Sequence, residues 1–164
     1  MNKRYINDVE HKKLISNIVR EIAISDWRPD YVVGITRGGL MAATMISHYF
    51  NLPMNALKVS LRDGDDDCES NLWMAEDAFH GKNILIVDDI NDSGNTINWI
   101  MKDWPSGCLP NDEQWSKVWN NNVRFAVVID NTTSKANIKM DYIGEEITKG
   151  DNDWIVFPYE SWWA

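Results

Sequence analysis

The sequence is short of cysteine, of positive charge and of long apolar runs. Two cysteines occur among 164 residues. Cys68 and Cys108 stand in no Cys-x-x-Cys or metal-ligand spacing, so two free thiols in a reducing compartment are expected. Lysine and arginine number 16 against 25 aspartates and glutamates, a formal net charge of -9. Such a surface repels a duplex or an anionic membrane on average, and no basic run offsets it, so neither is an expected partner. No apolar run approaches the roughly 20 residues of a membrane span. The opening residues, Met1-Asn2-Lys3-Arg4-Tyr5, lead into no apolar stretch of the secretory kind, and a cytoplasmic location is expected. Tryptophan, by contrast, is abundant: the nine present read mainly as core or subunit-contact residues.

A chain of this length fits one domain with a proper core. Leu14, Ile15, Ile18, Val19 and Ile22 recur at helical spacing and predict one buried helix face, capped by Asn7 or Asp8. Residues 31–35 and 56–61 read as short strands around a helix over 40–50. Further strands are predicted over 84–87, 123–130 and 140–147, the last nearer an edge. Strands alternating with helices imply βαβ units, hence an α/β fold with a mainly parallel sheet. Two segments exceed that plan. Residues 62–71 carry Asp63, Asp65, Asp66, Asp67 and Glu69 and are expected to form a mobile polar loop or lid. Residues 104–122, with Pro105, Gly107, Pro110, Trp115 and Trp119, read as an insertion whose tryptophans make a satellite core or an oligomer contact.

The most informative stretch is Ile84-Leu85-Ile86-Val87-Asp88-Asp89-Ile90-Asn91-Asp92-Ser93-Gly94-Asn95-Thr96. An apolar strand ends in two adjacent carboxylates, and a polar turn leads into a helix start. Free backbone N–H groups and the helix dipole make such a turn an anion cradle, and Ser93 and Thr96 add hydroxyl donors. Gly94 permits close approach or a positive φ. Carboxylates beside an anion cradle are consistent with a ligand that also carries sugar hydroxyls or a divalent cation. A phosphorylated ribose with magnesium has all three features.

This stretch resembles the phosphoribosyl-pyrophosphate (PRPP) motif of type I phosphoribosyltransferases. Thr36-Arg37-Gly38-Gly39, also following a strand, resembles the pyrophosphate-binding loop of the xanthine-guanine members. Asp153-Trp154-Ile155-Val156-Phe157-Pro158-Tyr159-Glu160 resembles their purine-covering hood. The C-terminal run also resembles phage-encoded members, for which the location would be host cytoplasm. The resemblance implies an open, mainly parallel sheet flanked by helices, with a small C-terminal hood. Residues 1–164 then form a single domain, with a core over about 5–135, the insertion over about 104–122 and the hood over about 136–164. It also implies a non-proline cis bond between Thr36 and Arg37.

The activity implied is transfer of 5-phosphoribose from PRPP to a purine base, a 6-oxopurine, with release of pyrophosphate. Binding of PRPP without turnover, as a regulator, and transfer to a non-purine acceptor are the alternatives. Asp88 and Asp89 would hold the ribose hydroxyls directly or through Mg2+. Asp92 would accept a proton from the base. Thr36, Arg37, Gly38 and Gly39 would take pyrophosphate, and Ser93, Gly94, Asn95 and Thr96 the 5′-phosphate. Trp154 and Ile155 would pack on the base. Two departures stand out. Asn95 replaces the loop's usual second glycine, and is expected to tolerate a left-handed backbone. The hood lysine that contacts the purine 6-oxo group is absent after the strand over 123–130, leaving Asn131 or Lys135 to replace it. A homo-oligomer, dimer or tetramer, is expected.

Overall fold

The structure, a computed structural model, describes residues 1–62, 65–108 and 113–164. A short strand, β1 (Asn2–Tyr5), leads into helix α1 (Asp8–Ile24). The Asn7 side chain accepts the Glu10 N–H at 2.8 Å and caps the helix, and the predicted apolar positions are its buried face. Strand–helix alternation follows. β2 (Tyr31–Thr36) precedes α2 (Leu40–Phe50). β3 (Met54–Arg62) and β4 (Asp65–Cys68) precede α3 (Leu72–Phe79). β5 (Ile84–Asn91) precedes α4 (Asn95–Gly107). A 3-10 turn (Glu113–Lys117) leads to β6 (Val123–Asn131), β7 (Tyr142–Ile147) and β8 (Asp153–Val156).

Six strands make one sheet in the order β4-β3-β2-β5-β6-β7, parallel throughout except for the antiparallel edge strand β4. Val32, Val33 and Ile84 to Val87 are buried, as continuous apolar runs in a sheet covered on both faces must be. Helices α1 and α2 cover one face through Ile18, Ile22, Ala43 and Ile46. Met74 of α3 and Ile100 and Trp104 of α4 cover the other, together with Trp115. The fold is therefore the α/β arrangement that the sequence predicts, a mostly parallel sheet flanked by helices.

Several details differ from expectation. β5 does not stop at Val87 but runs through both carboxylates to Asn91. Its pairing with β2 ends at Gly34–Val87, whereas pairing with β6 continues through Asp88–Val127 and Ile90–Ile129. From Asp88 onward β5 therefore has one unpaired edge, and a cleft opens there. In the acidic segment, Asp65 to Cys68 form a strand on β3, with Leu61 opposite Asp66; the part of the predicted loop at Asp63 and Gly64 lies outside the described residues. Trp104, Trp115 and Trp119 do not form a satellite. Their rings lie 5.7–6.0 Å apart, and Trp119 stacks on Phe125 of β6 at 6.1 Å, inside the main core. Pro110 of the same segment lies outside the described residues.

β7 joins the main sheet, and the strand partnering β8 comes from the opposite end of the chain. β1 and β8 form a separate parallel pair, with Lys3 opposite Trp154 and Arg4 opposite Ile155. Arg4 fastens this pair to the body through Glu10 of α1 and Glu145 of β7, both at 2.5 Å. Among the described residues no helix is long and apolar enough to cross a membrane.

Candidate active site

A cavity of about 1090 Å³ opens at the carboxyl ends of β2, β3 and β5, the edge where open α/β sheets take ligands. Four elements supply its walls: the loop after β2, the far end of β5 with the start of α4, the β3–β4 hairpin, and the segment from β8 to the C-terminus.

The loop after β2 contributes Thr36, Arg37 and Gly38, and the Thr36–Arg37 peptide bond is cis. The Arg37 side chain is exposed and lines the cavity, with no hydrogen-bond or ion-pair partner recorded among the described residues. A Cβ at position 38 would fall 2.0 Å from Asp89 Oδ2, so only glycine lets this loop lie so close to the acidic pair.

Asp88 and Asp89 stand on the unpaired edge of β5. Asp88 Oδ1 accepts the Asp89 N–H at 2.8 Å, and Asp89 Oδ1 accepts the Ile90 N–H at 2.7 Å. Burial, and then the neighbouring Asp89 charge, push the Asp88 carboxyl well above the usual carboxylate range.

After β5 the chain turns at Ser93 and Gly94. Gly94 has φ +92°, and a Cβ there would meet the Ala136 backbone nitrogen at 2.2 Å. Gly94 thus combines the left-handed turn with contact to the segment that follows β6. Asn95 does not take the left-handed conformation expected of it, because the turn is completed one residue earlier and Asn95 is the first residue of α4. The N-cap residue Gly94 offers no side chain, the Ser93 hydroxyl accepts the Asn95 N–H at 3.2 Å, and Ser93, Gly94, Asn95 and Thr96 line the cavity. The helix start is therefore available to an anion.

The turn after β6 braces this loop from behind. Lys135 donates its backbone N–H to the Ser93 carbonyl at 2.8 Å, and the Asn98 side chain bonds the Lys135 carbonyl at 3.0 Å. The Lys135 side chain is exposed and outside the cavity wall. Asn131 is 5 % exposed, and its amide donates to the Asp92 carbonyl and carboxylate at 3.2 and 3.1 Å. Its oxygen accepts the Lys149 N–H at 3.1 Å and also serves Thr133. The Asn131 side chain and the Lys135 backbone thus both hold the loop.

The cation that does reach this corner is Lys149, which the sequence pattern did not single out. Its ammonium lies 2.6 Å from Asp92 Oδ2 and 5.4 Å from the centre of the Trp154 ring, with the side chain 12 % exposed. It comes from the connection between β7 and β8, so no position in the PRPP motif points to it. Trp154 is 44 % exposed at the cavity, and Ile155 beside it is buried.

The charge of the wall is lopsided. Asp67, Asp88, Asp89, Asp92 and Glu160 face two cations, Arg37 and Lys58, and Lys58 is paired with Asp67. A polyanionic ligand would meet net repulsion here unless a cation came with it. The adjacent hard oxygens of Asp88 and Asp89 fit a magnesium ion. Among the described residues no group of three or more His, Cys, Asp or Glu is arranged to hold a metal alone, so ligand oxygens would complete its coordination.

A family model described as "Phosphoribosyl transferase domain" matches residues 6–161. Xanthine phosphoribosyltransferase 1 of Saccharomyces cerevisiae is 25% identical over 124 residues, which are 62% of this chain and 59% of the yeast protein. The match thus spans under two thirds of that relative's length. A bifunctional protein PyrR of Streptococcus pyogenes is 25% identical over 162 residues, covering 94% of this chain and 88% of the other. The solved structure of a xanthine-guanine-hypoxanthine phosphoribosyltransferase from Helicobacter pylori superposes with a TM-score of 0.70 at 20% identity, covering 98% of this chain and 95% of that one. The chain belongs to the phosphoribosyl transferase domain family.

Proposed function

We propose that this protein transfers 5-phosphoribose from PRPP to a ring nitrogen of a purine base, a 6-oxopurine, and releases pyrophosphate. One observation carries the reading. The Asp88-to-Thr96 strand, turn and helix start face Thr36, Arg37 and Gly38 across one cavity, with Trp154 and Ile155 on its remaining side, while Gly39 is buried behind the wall. The names of the yeast and Helicobacter proteins support the purine class.

In this reading the 5′-phosphate sits on the start of α4 between Ser93 and Thr96. The ribose hydroxyls donate to Asp88 and Asp89, and pyrophosphate lies along the loop from Thr36 to Gly39. Arg37 forks hydrogen bonds to its oxygens. The anomeric carbon carries positive charge in the transition state, and the wall carboxylates favour that charge without having to move. Asp88 and Asp89 would hold Mg2+, which supplies charge neutralisation of the departing pyrophosphate. Trp154 and Ile155 pack on the base and orient it toward the ribose. Asp92, positioned by Asn131 and Lys149, accepts the proton that the base releases. Lys149, whose ammonium lies against Asp92 and over the Trp154 ring, is the charged donor proposed for the base's carbonyl; the Asn131 amide is already bonded to Asp92. The chain works in the cytoplasm as a homo-oligomer.

A panel assay tests this. The protein is incubated with PRPP, Mg2+ and single bases, and nucleotide and pyrophosphate are both quantified. Nucleotide formed with guanine, xanthine or hypoxanthine supports the proposal. Nucleotide formed only with a non-purine moves the acceptor to another class. PRPP bound without turnover makes the protein a sensor.

A further inference from the structure

Among the described residues, Tyr159 is the one of the C-terminal segment whose side chain hydrogen-bonds to the loop after β2. Its hydroxyl donates to the Gly38 carbonyl at 2.7 Å, and Asp89 Oδ2 lies 3.4 Å from the same oxygen. Three separate stretches of chain meet at this phenol: the loop after β2, the acidic end of β5 and the tail after β8. The meeting is close, as the lack of room for any Cβ on Gly38 beside Asp89 already indicates.

The ring is held as firmly as the hydroxyl. Phe157 lies parallel to it, 5.7 Å away with 4° between planes, and the His11 ring meets it edge-on at 5.7 Å. Phe157 and Glu160 close the turn that presents it. The Phe157 N–H bonds the Glu160 carboxylate at 3.0 Å, and the Glu160 N–H bonds the Phe157 carbonyl at 3.0 Å.

Trp154 and Ile155 precede this turn on the same segment. One stretch of chain therefore carries both the residues proposed to cover the base and the residue that pins the pyrophosphate loop. We infer that Tyr159 is a positioning residue, which holds the Arg37–Gly38 loop in register with Asp89 and so sets the affinity for the pyrophosphate end of the substrate. This rests on the proposed PRPP chemistry for its consequence but not for its geometry.

Tyr159→Phe removes the hydroxyl and keeps the ring in its stack. With PRPP as substrate, the KM for PRPP and the inhibition constant of pyrophosphate should each rise about 10-fold, the effect of one well-made hydrogen bond. The KM for the base and the Tm should stay near wild type. A loosened fold would instead lower Tm and act on both substrates alike. Hydrogen exchange on the ligand-free proteins reads the same contact without any substrate, and residues 37–40 should exchange faster in Tyr159→Phe. Unchanged exchange there, or an unchanged KM for PRPP in an active enzyme, overturns the inference and leaves the proposed function standing. A wild-type protein indifferent to PRPP, with exchange at 37–40 raised in the variant, removes the proposed function and leaves the positioning contact intact.

Discussion

Lys149 holds Asp92 by a 2.6 Å ion pair while its ammonium rests over the ring of Trp154. The pair links the loop proposed for phosphate to the face proposed for the base. The Lys149 side chain is 12 % exposed, whereas the Asp92 carboxylate keeps 40 % of its surface open to solvent.

Replacing that charge tests its part in base selection. A charged hydrogen-bond partner contributes about 1.5–3 kcal/mol against about 0.5–1.5 for a neutral one. Lys149→Met should therefore lower kcat/KM for 6-oxopurines by about 10- to 100-fold. The KM for PRPP should move far less. Lys135→Ala is the control and should leave base selection unchanged, because that side chain does not line the cavity. Steady-state kinetics with guanine, xanthine, hypoxanthine and adenine read both variants.

Arg37 should matter for the pyrophosphate end of the substrate. Arg37→Ala is expected to weaken PRPP and pyrophosphate by about 10- to 100-fold. Nucleoside monophosphate, which has no phosphate in that loop, should bind nearly as before. Equilibrium binding of the three ligands separates these outcomes, and equal losses would make Arg37 a structural residue.

Much of this arrangement is legible in the chain itself. The run from Ile84 to Thr96 encodes strand, turn and helix start through β-branched residues, a glycine and hydroxyls, all of which act locally. Arg37 and Trp154 follow in the same way from short segments with a fixed pattern. What escapes such reading depends on long-range contact. Lys149 reaches Asp92 only because β7 pairs with β6 and returns the chain past the loop. Asn131 has the look of a free donor in sequence, yet its burial commits it to Asp92 and Lys149. β1 forms no recognisable pattern alone, because its partner β8 lies at the other end of the chain. The tryptophans of residues 104–119 look like an insertion by their prolines and glycine, and only packing reveals them as core.

Buried His11 makes a pH-dependent contribution to stability. Desolvation holds its pKa below the ordinary 6.5, outweighing the opposing pull of Asp8 and Asp89. The unfolded chain therefore takes up this proton more readily than the folded one. His11 costs nothing well above the unfolded value, and stability falls as pH drops through it, levelling off below the folded value. His11→Phe removes this dependence and keeps a ring against Tyr159 and Phe157. Its Tm should decline less than that of wild type between about pH 7 and pH 5. Parallel melting curves across that range check the sign.

The central claim is that Asp88 and Asp89, with Mg2+, bind PRPP opposite the Arg37 loop. Calorimetric titration of PRPP into the wild-type protein and into Asp88→Asn/Asp89→Asn, each with and without Mg2+, tests it most directly. Wild type should bind PRPP with Mg2+ and lose affinity without it. The double variant should keep its fold, lose the magnesium dependence, and turn over at least ~100-fold more slowly, the scale of one large electrostatic contribution. Equal PRPP affinity in both proteins, with the same response to Mg2+, would contradict the account.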